Sequence, residues 1–254
     1  MSDGVPIAEK RRTSYENFIV ECPWCGKECI FNRRSDLGTL EPIGGLNTSC
    51  LHEPCGKAFR LVGDTVNERH ETLIYDCYEL MQRKHYMSCV LNLAQAYEVF
   101  FGLFLRVEIL YKPFGADPDQ DIADLNRLSD ALTAAIKEHA FCAMRALFLR
   151  QLVQQQPPAD LAESERVIAA MPSQPGDPKD SAIEALSDPD LVTLLKALKA
   201  TTIHTLRNRV VHKRAYRPSR DEVDEALKET RSILFPLTSR LNIHDDINWY
   251  MRRN

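Results

Sequence analysis

The chain has 254 residues and a mass of 29.0 kDa, room for one large domain or for a small module joined to a medium one. Hydrophobic residues make up 44% and charged residues 27%, the balance of a globular protein, which excludes wholesale disorder. The net charge of -4 sets 32 Lys and Arg against 36 Asp and Glu, so affinity for a polyanion would have to come from a local patch.

Mean hydropathy is -0.31, and the richest apolar run, Phe100 to Tyr111, is broken by Arg106 and Glu108. No segment reaches the roughly 20 uninterrupted apolar residues that span a bilayer. The opening MSDGVPIAEKRR has no apolar stretch after its charges, as a secretory signal would. These features predict a soluble, cytoplasmic chain with no membrane partner.

Residues 1 to about 65 form the first compositional zone. They hold seven of the ten glycines and five of the eight cysteines: Cys22, Cys25, Cys29, Cys50 and Cys55. Short β-prone runs, Asn17 to Val20 and Ala58 to Val62, flank the cysteines. Clustering of this kind in a reducing compartment reads as metal binding rather than as a disulfide framework.

Two half-motifs echo each other: Cys22-Pro-Trp-Cys25-Gly-Lys and His52-Glu-Pro-Cys55-Gly-Lys. Each places two ligands three residues apart, and the following glycine tolerates the left-handed backbone that such a knuckle needs. The spacing predicts a zinc ribbon with a Zn²⁺ ion held by Cys22, Cys25, His52 and Cys55. Cys50 is the alternative to His52, which would make the site all-cysteine, and Cys29 is a weaker spare. Four protein ligands leave no open coordination position, so this zinc would be structural and supply folding energy to a small module. Arg33, Arg34, Lys57 and Arg60 are its candidate contacts to nucleic acid.

Residues 66 to 254 are patterned as helices. Apolar positions from Tyr86 through Leu93, Phe100 and Val107 to Tyr111 make a broad buried stripe, ended by Pro113 and Gly115. A second helix is predicted from Ile122 to about Gln151, with Leu125, Leu128, Leu132, Cys142 and Leu147 inward and His139 as a hydrogen-bonded core histidine. A Pro/Gln-rich insertion follows at about 152–180, an exposed excursion with one short helix over Leu161 to Ala170. Asp188-Pro189 opens a helix that runs to about His212, and Ser219-Arg-Asp-Glu222 is a capping box that opens the last one. The fold class is therefore mainly α: an antiparallel helical bundle behind a small β-rich zinc ribbon.

The segment Ile203 to Tyr216 is the most unusual. With Leu206 at the centre of the buried face, His204, Asn208 and His212 fall at about 160°, 200° and 240° around an ideal helix. Arg207 lies at about 100°, long enough to lean toward that polar stripe. Residues 207 to 220 hold six Arg or Lys and no acid, a cationic patch on an acidic protein.

Arg207-Asn-Arg-Val-Val-His212 resembles the Arg-x4-6-His motif of HEPN domains, with the frequent Asn directly after the Arg. Tyr86 to Leu110, with Leu93-Ala-Gln-Ala-Tyr-Glu98, resembles the early HEPN helix, and the capped helix after the motif fits as well. The resemblance covers about residues 70 to 240 and implies a metal-independent endoribonuclease of the toxin or anti-phage defence type. It implies that Arg207, His212 and Asn208 are catalytic and meet their counterparts at a homodimer interface. It implies, too, an RNA substrate gripped by Arg209, Lys213, Arg214 and Arg217, and a possible antitoxin or defence-system partner. Glu98 is a candidate polar support for the cleft. Where related toxins silenced by nucleotidyl transfer carry a tyrosine two residues after the histidine, this chain has Arg214. The alternative reading is a non-catalytic module that binds nucleic acid or a partner through the ribbon and the basic 207–220 segment.

Overall fold

The computed structural model describes residues 17–33, 35–38, 43–63, 68–116, 122–154 and 156–243; Arg34 lies outside them. The chain divides into two compact units, Met1–Tyr75 and Asp76–Asn254. The division falls inside the first helix rather than at the compositional change near residue 65.

The first unit contains two antiparallel hairpins. One pairs β1 (Asn17–Glu21) with β2 (Glu28–Asn32), and the other pairs β3 (Ile43–Ser49) with β4 (Ala58–Gly63). Strand alternation sends Cys29 and Phe31 of β2, and Phe59 and Leu61 of β4, to the same interior as Phe18. The Phe31 and Phe59 rings meet at 6.3 Å, and Cys22 and Cys50 close the core at the hairpin ends.

Helix α1 (Arg69–Gln82) leads to α2 (Tyr86–Arg106), which continues through a π-helical turn (Val107–Tyr111) into α3 (Lys112–Ala116). The helix therefore passes Pro113 instead of stopping there. Ahead of the proline the turn widens, the Lys112 N–H reaching back five residues to the Val107 carbonyl. That gives the ring the room an α-helical turn denies it. Among the described residues, Tyr86–Ala116 is the one helix long and apolar enough to cross a membrane, and most of its richest apolar stretch is buried inside the protein.

The long helix expected over Ile122 to Gln151 is two: α4 (Ile122–Ile136) and α5 (Phe141–Val153). At 100° per residue, Phe141 would stand about 180° from Leu132 on a continuous helix, so both could not face one core. Breaking at 137–140 resets the phase, burying Phe141, Met144 and Phe148 and leaving Cys142 exposed. His139 is a turn residue rather than a core histidine, half-buried with Nε2 3.2 Å from the Pro172 carbonyl.

The insertion carries α6 (Leu161–Ala169), as expected, and α7 (Asp180–Glu184). It is not a free excursion. Arg145 forks onto Asp177 at 2.8 and 3.5 Å, and Arg150 Nε donates to the Gly176 carbonyl at 2.6 Å. Beyond it run α8 (Pro189–Ala200), α9 (Ile203–His212) and α10 (Arg220–Leu241). Asp188 caps α8 as predicted, accepting from the Asp190 and Leu191 N–H groups at 3.1 Å. The helix predicted to run on to His212 breaks at Thr201-Thr202. There the buried Thr201 hydroxyl accepts the Ile203 N–H, at 3.4 Å, a side-chain bond that competes with the helical ladder.

Helix α2 packs against α5, α9 and α10. Its contact with α5 is aromatic: Phe148 lies 4.6 Å from Phe104, 5.3 Å from Phe101 and 5.5 Å from Phe100, and Phe141 lies 5.6 Å from Tyr97. Such ring pairs add about 0.5–1.5 kcal/mol each beyond the area they bury.

Two neighbouring groups at the start of α1 titrate in opposite senses. Burial raises the Glu71 carboxyl to about 7 and lowers the His70 imidazole to about 4. Folded Glu71 holds its proton longer than the unfolded chain does, so its contribution to stability is full below about 4.5 and lost as pH rises through about 7. His70 destabilises in the other direction: between about 6.5 and about 4 the unfolded chain takes up a proton that the folded one refuses. Glu71→Gln should therefore raise Tm at pH 8 and leave it unchanged at pH 4. Equal gains at both pH values would show that the buried charge is not the cause.

Candidate metal centre and cationic helix end

The hairpin loops bring four sulfurs together. Cys22 and Cys25 come from the β1–β2 loop and Cys50 and Cys55 from the β3–β4 loop, with all four Sγ atoms within 4.8 Å of one another. Cys22 and Cys55 stand 3.8 Å apart and Cys25 and Cys50 3.7 Å. A tetrahedron with metal–sulfur bonds of about 2.3 Å has edges of about 3.8 Å, so the quartet fits one tetrahedral ion.

Cys50, the alternative, takes the place that the sequence echo assigned to His52. The echo is real in the backbone: the Gly26 N–H donates to the Cys22 carbonyl at 2.9 Å, and the Gly56 N–H to the His52 carbonyl at 3.1 Å. Both glycines have positive φ, +66° and +50°. The second loop is longer, however. Its strand-closing bond runs from the Cys50 N–H to the Lys57 carbonyl, as the first runs from Cys22 to Lys27, both at 2.9 Å. The ligand follows that bond, and the His52 ring turns away, its Nε2 2.6 Å from the Glu28 carbonyl.

Backbone dipoles prepare the thiols for a cation. Burial works to raise Cys22, yet the N–H groups of Trp24 and Cys25 outweigh it and hold the thiol at about 7. Burial pushes Cys50 up, and the neighbouring thiols of Cys22, Cys25 and Cys29 push the same way against the His52 N–H. The Cys50 proton has to be displaced by a metal, so metal affinity weakens as pH is lowered. The Trp24 indole donates to the Ala58 carbonyl at 3.0 Å, with the Lys57 ammonium 5.1 Å from its ring centre. Arg33 is buried over the Phe18 ring and is not a surface cation.

In the helical unit, α9 presents the two faces its periodicity implies. Ile203, Leu206 and Val210 are buried, whereas Asn208 and His212 are exposed. Arg207 is half-buried and donates to Asn208 Oδ1 at 3.2 Å. Glu98 of α2 lies within the field of Arg207: burial raises its carboxyl and the guanidinium pulls it back. His204 is set apart from the other two polar residues. Its ring stacks on Phe141 at 5.5 Å, and burial, with the nearby Arg145 charge, lowers its basicity.

Arg209, grouped in the sequence with the phosphate-binding cations, is held by protein instead. Its guanidinium lies 4.6 Å over the Tyr216 ring and donates to Glu222 Oε1 at 3.3 Å, where the Tyr216 hydroxyl also donates, at 2.6 Å. Glu222 Oε2 accepts the Ser219 N–H at 2.9 Å and the Glu222 N–H donates to Ser219 Oγ, completing the predicted capping box. Tyr216, and then the Ser219 N–H, hold the Glu222 carboxyl below its usual range. Lys213, Arg214 and Arg217 remain exposed, with no ion-pair partner among the described residues. Arg217 also lines a cavity of about 450 Å³ with Lys84, His85 and Ser88, residues that sequence periodicity had not linked to this end of the bundle.

No family model, curated protein or solved structure matches the chain.

Two outcomes follow from this geometry. Cys50→Ser should abolish stoichiometric metal binding, read from the thiolate charge-transfer bands of the cobalt-loaded protein, whereas His52→Ala should retain them; the reverse result would restore the histidine site. Glu222→Gln should cost about 1–3 kcal/mol in urea unfolding of the full chain, because it weakens a charged hydrogen bond, an ion pair and a helix cap together. An unchanged midpoint would mean that the carboxylate does not latch α9 to α10.

Proposed function

We propose that this chain is a metal-independent endoribonuclease of the HEPN type, from a toxin or anti-phage defence system, with an N-terminal structural zinc ribbon. The observation that carries the reading is the solvent side of α9. Arg207, Asn208 and His212 share the exposed end of a helix anchored by Ile203, Leu206 and Val210, beside the uncompensated cations Lys213, Arg214 and Arg217.

Histidine, with an ordinary pKa of roughly 6.5, is the side chain best suited to pass protons near neutrality. In the proposed reaction His212 takes the proton of a ribose 2′-OH, whose oxygen attacks the adjacent phosphorus. The bond from phosphorus to the 5′-oxygen breaks, and His212 of a second copy protonates the departing oxygen. The products are a 2′,3′-cyclic phosphate and a 5′-hydroxyl. Arg207, permanently charged and planar, forks onto the phosphate as negative charge builds on it. Its bond to Asn208 orients the guanidinium. Exposed Val211, next to His212, supplies an apolar contact for the second copy.

The quartet of thiolates is the donor set that zinc prefers, and four ligands close its coordination. Zinc would then hold the hairpins together and take no part in cleavage.

Total cellular RNA incubated in excess EDTA should yield discrete fragments ending in cyclic phosphate. Arg207→Ala and His212→Ala should each lower the rate by about 100-fold or more while leaving folding and dimerisation intact. Charge reversals at Lys213, Arg214 and Arg217 should weaken RNA binding additively and flatten its salt dependence. Cleavage by His212→Ala at the wild-type rate would sink the catalytic assignment. RNA bound but left whole by every variant would favour the non-catalytic nucleic-acid-binding reading.

A further inference from the structure

A fifth sulfur stands beside the metal quartet. Cys29, on β2, is fully buried, and its thiol donates to Cys50 Sγ across 3.7 Å, as close as the quartet's own members stand to one another. It is not one of the four mutually adjacent ligand atoms. Strand alternation explains why position 29 points inward with Phe31. Packing alone does not call for a thiol there: any small apolar residue would fill the place.

We propose that Cys29 is a resolving thiol, joining Cys50 in a disulfide when a peroxide reaches the centre, with release of the metal ion. The inference rests on the metal-centre reading above. Cys50 is 6% exposed and Cys29 is 0% exposed, so of this pair Cys50 is the one an oxidant reaches. The Cys50 sulfur attacks one peroxide oxygen; the S–O bond forms, the O–O bond breaks, and hydroxide leaves. Cys29 then gives up its proton, and its sulfur attacks the Cys50 sulfur; the S–S bond forms, the S–O bond breaks, and a second hydroxide leaves. In sum, a thiolate, a thiol and hydrogen peroxide become a disulfide, water and hydroxide, with two electrons passing from sulfur to oxygen.

Oxidation that starts at the exposed Cys25 reaches the same end. The Cys50 sulfur stands 3.7 Å from it, and a Cys25–Cys50 disulfide is open to exchange by Cys29, which frees Cys25 as thiolate. Closing Cys29 onto Cys50 takes about 1.7 Å of sulfur movement to reach the S–S bond length of about 2.05 Å. Cys50 sits in a loop at the end of β3, where that movement does not break a strand. The surviving ligands are then too few to close a tetrahedral site.

The test uses the full-length zinc-loaded protein. Hydrogen peroxide is added, zinc release is followed with a chromogenic chelator, and disulfides are mapped by mass spectrometry after alkylation. A Cys29–Cys50 linkage in proportion to the zinc released is expected, with release slowed by about tenfold or more in Cys29→Ser and Cys29→Ala, because the intramolecular thiol is lost. Both variants are first shown to carry one zinc, which separates misfolding from the effect sought. Release at an unchanged rate in the variants, linkages confined to Cys22, Cys25, Cys50 and Cys55, or zinc retained without any disulfide would each overturn the proposal and leave the metal centre standing. Protein that never holds zinc would overturn both.

Discussion

Helix Tyr86–Arg106 has apolar side chains around much of its circumference, and three other helices must cover them. One side meets Phe141 and Phe148, and the rest meets Ile203–His212 and Arg220–Leu241. Each large side chain removed from water contributes about 1.5–3 kcal/mol, so an uncovered face on this helix would be costly. Covering it also decides what the covering helices expose. A ten-residue helix that spends Ile203, Leu206 and Val210 on the core has its other side left for Arg207, Asn208 and His212. The polar stripe is thus a by-product of how the core is closed, and its rigidity comes from the same packing.

Periodicity made the faces of the helices legible but not their breaks. The buried positions of Ile203–His212 follow from counting residues, and so do the Asp188 and Ser219 caps, because a cap is a local bond between residues two or three apart. The interruptions at 137–140 and at Thr201-Thr202 arise from competition: a continuous helix would keep its ladder of hydrogen bonds but present Phe141 to the wrong side. That trade-off depends on a partner helix distant in sequence, and no local window contains it. The same holds for Arg209. In the sequence it is one cation among six; in the fold it belongs to Glu222 and Tyr216, across a turn whose spacing has no period to detect.

The metal centre shows a different kind of ambiguity. Two Gly-Lys steps after cysteine announce two knuckles, and the backbone repeats itself as announced. Ligand identity depends on a second bond, the one that closes each hairpin, and the longer second loop separates that bond from the glycine turn. His52 carries the echo and Cys50 carries the sulfur. Around them the described core of the hairpins is small: Phe18, Phe31, Phe59 and Leu61 are its large buried apolar side chains, with three cysteines filling the remainder. In a module with so little to bury, an ion held by the four cysteines would supply a large share of the folding free energy.

Glu222 joins two events that are usually separate. Its carboxylate caps the first turn of Arg220–Leu241 and at the same time fixes Arg209 and Tyr216 at the end of Ile203–His212. Fraying of the later helix releases the earlier one, so the two termini open and close as one cooperative unit rather than as independent ends. The residues around His212 are thereby tied to the capped first turn of a 22-residue helix instead of ending as a free, solvent-exposed last turn.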